Sequence, residues 1–209
     1  MIDLYTWATP NGRKVSIALE ELGLAYEVHR VNIGAGEQFE PEFLSLSPNN
    51  KIPAIVDRAH GRTLMESGAI LLYLAEREDR LLGDDRYATL EWLMLQMGGV
   101  GPMLGQVHHF LRFKRGVSEY AQERYHAEAQ RLYGVLDRRL AGHEYLAGSY
   151  SIADIATFPW IARWEWHEID WAAYPHLRDW YVRVARREAV QRGYAVPPSD
   201  QTIALPPTG

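Results

Sequence analysis

The spacing of apolar residues changes character partway along the chain, and that change limits the folds open to it. Up to about residue 77, short strand-like runs take turns with segments of helical spacing; beyond about residue 86 only the helical spacing remains. Residues 2–7 read as a first strand. Thr9-Pro10-Asn11-Gly12 then turns the chain into a helix faced by Val15, Ile17, Ala18, Leu19 and Leu22, which Gly23 stops with a left-handed cap. Residues 26–33 alternate apolar and polar like a half-buried strand. A short helix suits Pro41–Leu46, and Ala54–Asp57 with 63–65 suit a hairpin about His60-Gly61. Glu66-Ser67 opens a helix through Ala75. The order is βαβ, then ββα.

That order is the thioredoxin arrangement, with a right-handed crossover in its first unit and a mixed sheet. The expected fold class is therefore an α/β thioredoxin-like N-terminal domain at 1–78, then an all-α helical-bundle domain at 87–195. A charged linker at 78–86 separates them, and an extended, poorly ordered tail is expected at 196–209. Helical segments are expected at 87–113, 118–141, 151–167 and 176–187. The first should kink or break at Gly98-Gly99 and Gly101-Pro102. Ser151 and Asp154 have the spacing of a capping box.

Composition narrows the chemistry. With 22 basic against 27 acidic residues, net charge −5, the chain lacks the basic field that nucleic acid or an anionic membrane surface demands. It contains no cysteine, so neither a disulfide-built scaffold nor redox chemistry by a thiol of its own is open to it. The N-terminus has no basic patch followed by an apolar core, and runs such as 69–75 fall far short of the roughly 20 residues that span a bilayer. A soluble cytoplasmic protein is expected.

Three short tracts offer chemistry, and each also has a plainer role. In 47–56, Pro53 stands just before a strand. It either starts an edge strand, or sits in a cis turn that leaves the backbone N–H and C=O of Ile52 open to pair with a peptide-like ligand. Glu66-Ser67-Gly68 begins a helix, where Ser67 is either an N-cap or a holder of a carboxylate at the positive end of the helix dipole. Thr9 beside Pro10 is an N-cap or a hydrogen-bond donor at the strand-to-helix turn. Tyr5, inside the first strand, and Trp160, Trp164, Trp166 and Trp171 are assigned to packing. His108-His109 point to different helix faces without an acidic partner pattern, so no metal site is expected.

Taken together, residues 4–11, 48–57, 64–75 and 151–155, in this order and spacing, resemble a glutathione transferase over nearly the whole chain up to about residue 190. Thr9-Pro-Asn11, residues 34–41 and residues 98–106 are similar to the Nu class, related to the yeast nitrogen-regulating prion protein and to disulfide-reducing bacterial proteins. The resemblance implies that Ile52, followed by Pro53, holds the cysteinyl backbone of glutathione. It also implies that Glu66 and Ser67 hold the γ-glutamyl end, and that Gln38 and Lys51 contact the glycyl end or the backbone. Arg124 resembles an arginine that lines the ligand cleft in this class; on its residues alone it is equally an ordinary helix-surface arginine.

Other classes use a catalytic Tyr, Ser or Cys where this chain has Thr9 and Asn11. A cysteinyl thiol has a pKa of about 8.5, and a hydrogen bond to a charged group contributes about 1.5–3 kcal/mol. One pKa unit is about 1.4 kcal/mol, so one or two such donors lower a bound thiol by about one to two units. The expected enzyme is a glutathione-dependent transferase and disulfide reductase that uses glutathione as cosubstrate, without metal, on small disulfides or electrophiles. Glutathione and glutathione disulfide are the expected ligands, and a homodimer, packed through the apolar helix around Trp92, Leu93, Leu95 and Met97, is implied by the family. The alternative is a non-catalytic glutathione-binding or regulatory module on the same fold.

Overall fold

The computed structural model describes residues 1–207, which fall into two compact units. The first comprises Met1–Arg80 and Arg186–Ile203; the second comprises Leu81–Ala185 and residues 204–207.

In the first unit, strands β1 (Ile2–Thr6), β2 (Tyr26–Arg30), β3 (Ala54–Asp57) and β4 (Arg62–Met65) form one sheet in the order β2-β1-β3-β4. β1 runs parallel to β2 and antiparallel to β3, and β3 pairs antiparallel with β4. The parallel pair is joined through α1 (Pro10–Leu22), as a βαβ crossover requires. Gly23 ends α1 at φ 70°, its N–H donating to the carbonyl of Glu20 at 3.2 Å. After α2 (Pro41–Leu46) and the hairpin comes α3 (Ser67–Glu78), which packs on α1. Leu4 and Ile55 face each other across β1 and β3, and with Val15, Ile17, Leu71 and Leu74 they are wholly buried.

The last helix, α10 (Glu188–Tyr194), corrects the division expected from the sequence. It was unforeseen as a helix, and its segment belongs to the first unit, although the helical domain was expected to run to 195. It lies on α1, where Ser16 Oγ donates to the carbonyl of Gly193 at 2.6 Å and Arg192 and the preceding Arg187 pair with Glu20 and Glu21. A seven-residue helix has too little periodicity to announce itself, and its partner lies some 170 residues away in sequence. The segment that follows is extended but held: Arg30 donates to the carbonyl of Pro198 at 3.2 Å and Arg13 to Ser199 Oγ at 3.1 Å. The expectation of a poorly ordered tail is thereby corrected through residue 201; Thr208 and Gly209 lie outside the described residues.

The second unit contains α4 (Arg86–Leu95), α5 (Gly101–Val107), α6 (Glu119–Leu140), α7 (Ile152–Ile161), α8 (Trp164–His167) and α9 (Pro175–Ala185). At Gly98-Gly99 and Gly101-Pro102, where a kink or break was expected, the helix changes its hydrogen-bond register and does not end. The chain stays helical through a π turn at Gln96–Val100, runs on as α5, and closes with a second π turn at His108–Phe113. Pro102 has no N–H to give to the preceding turn, and the wider π turn before it shifts the hydrogen-bond register without ending the helix. All ten residues of α7 are buried, and its start carries the capping box of Ser151 and Asp154. No helix among the described residues is long and apolar enough to cross a membrane.

Candidate functional site

Sheet register brings the sequence-singled residues of the first unit to one end. Tyr5 pairs with Ala54, so the chain leaving β1 toward Thr9 runs beside the segment that enters β3 through Ile52-Pro53. Ala54 in turn pairs with Met65, so Glu66-Ser67 emerges from β4 at that same end. Thr6 pairs with Arg30 in parallel, so the loop that carries Gln38 departs there too. Two helices, α1 and α3, begin at this end with no acidic residue in their first turns. Their positive dipole ends are thus left to attract an anion.

Each residue has a local reason for its position. The Ile52–Pro53 peptide is cis. The Ile52 side chain packs against the small core of Val31, Phe43 and Ala54, while its N–H and C=O enter no backbone hydrogen bond among the described residues. Before it, Ser47 Oγ donates to the carbonyl of Lys51 at 2.8 Å and closes the turn that carries the exposed Lys51. Glu66 is exposed and adopts φ 67°, ψ 114°, a backbone conformation that L-residues rarely hold and that clusters at functional sites. Ser67, which follows it, is 3% exposed and opens α3. Gln38 Oε1 is buried and has no hydrogen-bond partner among the described residues. A polar atom in that state carries an unmet demand for a donor.

Thr9 combines both roles that its sequence allows. It is the N-cap of α1, its Oγ1 accepting from the Gly12 N–H at 3.2 Å. A hydroxyl that accepts one bond retains its own proton to donate. Asn11 is half-buried in the first turn of α1. Arg124 belongs to the other unit, where it stands exposed on α6 and lines a surface cavity of about 760 Å³ with Tyr120, Tyr125 and Met103.

Two features escaped the sequence reading. Lys14 is 1% exposed on the packed face of α1, and its Nζ donates to Ser67 Oγ at 3.4 Å. Burial pulls its pKa down to about 7, against the opposing charge of Glu66. The available signal was its place in the apolar stripe, next to Val15 and four residues before Ala18. In the second unit, buried His108 meets His167, Nε2 to Nε2 at 2.8 Å, whereas His109 is exposed. One further cluster, Asp3, Glu27 and His29, brings three ligand-type atoms within 4.8 Å of one another. Arg58 already lies there, donating to both Asp3 and Glu27, so a guanidinium balances the acidic charge.

Comparison with known proteins bears on the whole chain. Residues 1–76 match the family model of the glutathione S-transferase N-terminal domain, and residues 102–188 that of the glutathione S-transferase C-terminal domain. The chain is 51% identical over 198 residues to the disulfide-bond oxidoreductase YfcG of Escherichia coli strain K12, covering 90% of this chain and 92% of that one. A glutathione transferase from Burkholderia graminis, solved with two glutathione molecules bound per subunit, is similar at TM-score 0.90 and 45% identity, over 94% of this chain and 88% of that one. Another from Pseudomonas putida, with one glutathione disulfide bound per subunit, is similar at TM-score 0.88 and 48% identity, over 94% and 91%. With both of its halves matched by the family's models and half its residues shared with one relative, the chain belongs to the glutathione S-transferase family.

Proposed function

We propose that this protein binds glutathione at the sheet end of its first unit and uses the bound thiolate to reduce small disulfides, with a weaker capacity to conjugate electrophiles. The observation that carries this reading is the absence of any cysteine from the chain. A thioredoxin-like fold without its own thiol does sulfur chemistry only with a borrowed one. The open backbone of Ile52 suits the cysteinyl peptide unit in strand addition. The head of α3 with Ser67 suits the γ-glutamyl carboxylate, and Glu66 its amine. Gln38 and Lys51 are assigned to the glycyl end or the backbone.

In the first step the glutathione thiolate, stabilised by donors at Thr9 and Asn11 and by the start of α1, attacks one sulfur of the disulfide. An S–S bond forms to glutathione, the original S–S bond breaks, and the departing thiolate takes a proton. A second glutathione then attacks the mixed disulfide, giving glutathione disulfide and the second thiol. Two glutathiones are oxidised for each disulfide reduced, which fits the relatives solved with two glutathiones or one glutathione disulfide per subunit. Arg124 is proposed to steer anionic glutathione carboxylates. The same reading includes a cytoplasmic location and a homodimer formed along α4 and the π turn after it, where Trp92, Leu95 and Met97 are half-buried; Leu93 is wholly buried within its own unit and does not take part.

The test assays glutathione-dependent reduction of hydroxyethyl disulfide beside conjugation to a chlorinated aromatic, with light scattering for the dimer. Disulfide turnover well above conjugation is expected. Glutathione binding without turnover in either assay would replace the enzyme with a binding module.

A further inference from the structure

A buried lysine links the two helix starts of the proposed site. Lys14 rises from the second turn of α1, is 1% exposed, and directs Nζ to Ser67 Oγ at 3.4 Å. An ammonium has donors only, so Ser67 Oγ accepts from it and the hydroxyl keeps its own proton to donate. Accepting from a charged donor also polarises the hydroxyl and makes it a stronger donor in its turn. Lysine is almost never fully buried without such a task, because the burial itself works against its charge.

We infer that Lys14 is the positioning residue for the γ-glutamyl carboxylate: it orients Ser67 toward that anion, supplies the buried positive charge that balances it, and takes up a proton as it binds. The inference rests on the glutathione site proposed above and adds to it a residue, a charge and a proton.

The electrostatics favour the linkage. Desolvation brings Lys14 to about 7, so at neutral pH about half the unliganded molecules carry it uncharged. The charge of Glu66, at the head of α3, draws it upward. On the other element packed against α1, the charges are already engaged: Arg192 of α10 with Glu20, and Arg187 just before it with Glu21. Arg13, beside Lys14 on α1, lies 3.8 Å over the Tyr194 ring. A carboxylate arriving at Ser67 adds a second negative charge next to Lys14 and raises its pKa again, so a proton enters with the ligand.

The experiment is titration calorimetry of the full chain with S-methylglutathione, whose sulfur does not titrate. It is run between pH 6.5 and 8 in buffers of different ionisation enthalpy. At pH 7 the wild type should take up about half a proton per ligand, and affinity should fall with rising pH by up to tenfold per unit. Lys14→Met should bind about 10- to 100-fold more weakly and lose both the uptake and the slope. Binding by the wild type with no proton uptake and no slope overturns the inference while leaving the glutathione site intact, and this holds even if the variant does not fold. No binding by the wild type at any pH removes the site itself and the inference with it. In turnover, Lys14→Met should raise KM for glutathione and leave the pH dependence of kcat unmoved, because the thiol lies at the other helix start.

Discussion

Trp180 Nε1 donates to Asp154 Oδ1 at 2.8 Å in the interior of the helical unit, tying α9 to the first turn of α7. The same carboxylate accepts from the backbone N–H groups of Leu146 and Ser151, each at 3.0 Å. Three elements thus meet on one wholly buried acid whose pKa burial raises to about 6 in spite of these donors. Asp154→Ala strands three buried N–H donors, besides the Ser151 hydroxyl that also donates to it, and at about 1 kcal/mol or more for each N–H the loss is about 3 kcal/mol. A fall in Tm of roughly 6–12 °C is expected for a chain of this size. Thermal unfolding checks it, with kcat at 25 °C remaining within about twofold of wild type because the residue serves packing alone.

A second buried network makes the protein acid-sensitive. Tyr133 Oη lies 2.7 Å from His167 Nδ1, and His167 Nε2 lies 2.8 Å from His108 Nε2. If the hydroxyl donates to Nδ1, the His167 N–H passes to His108 Nε2, and the pair is hydrogen-bonded as two neutral rings. Burial lowers His108 to about 3 and His167 well below its usual range, and nearby Arg163 opposes a further charge on either. Because both folded values lie below the unfolded value of about 6.5, the unfolded chain binds more protons in that interval. The stability is complete above about pH 6.5 and is lost as pH falls toward the folded values. At pH 5 the two histidines together forfeit about 4 kcal/mol, whereas Asp154, raised to about 6, returns only about 1.4 kcal/mol in the opposite sense. Urea midpoints at pH 7.5 and pH 5 should therefore drop markedly; equal midpoints would show that the pair is not held neutral.

Local chemistry was legible in the sequence and remote packing was not. Gly23, the Pro41–Leu46 helix and the Ser151–Asp154 box each depend on residues within one helical turn of each other, and each stands where the spacing implied. Pro53 and the start of α3 were readable for the same reason, and sheet register alone then gathers the site segments at one end. Lys14 was hidden because its charge marks it as a surface residue until the 53-residue separation from Ser67 is closed by folding. His108 and His167, 59 residues apart, and α10 on α1 are likewise consequences of tertiary contact. Gly98-Gly99 and Gly101-Pro102 marked the place of the irregularity but not its form, a π turn at Gln96–Val100 packed against α6 and α7 in place of a break.

Thr9 divides its hydroxyl between fold and chemistry, and substitution can separate the two. Its lone pair caps α1 through Gly12, a bond whose loss costs about 1 kcal/mol. Its proton is assigned to the glutathione thiolate, where one donor is worth about 1.5–3 kcal/mol. Thr9→Ala should lower kcat/KM for disulfide reduction by about 10- to 100-fold with KM for glutathione nearly unchanged, and lower Tm by a few degrees. Thr9→Ser should restore both. Full turnover by the alanine variant would take Thr9 out of the mechanism and leave it as a cap.

Gly193 tests whether α10 is an integral part of the thioredoxin-like unit. A Cβ at this position would lie 2.5 Å from Ile17 Cα and 2.6 Å from Ile17 N, backbone atoms that cannot swing aside. The close approach is what lets Ser16 Oγ reach the carbonyl of Gly193 at 2.6 Å, and it seats Tyr194 under the Arg13 guanidinium. Gly193→Ala must push α10 away from α1, breaking that hydrogen bond and uncovering part of a buried helix face. Overpacking of this kind costs about 1–3 kcal/mol before the hydrogen bond is counted. Because α1 also carries Thr9, Asn11 and Lys14, the displacement should weaken glutathione binding as well as lower Tm. Gly142, exposed and with nothing within 4 Å of an added Cβ, provides the control, and Gly142→Ala should change neither quantity. Calorimetry and thermal unfolding of the two variants side by side decide the matter: equal behaviour would mean that α10 merely rests on the unit.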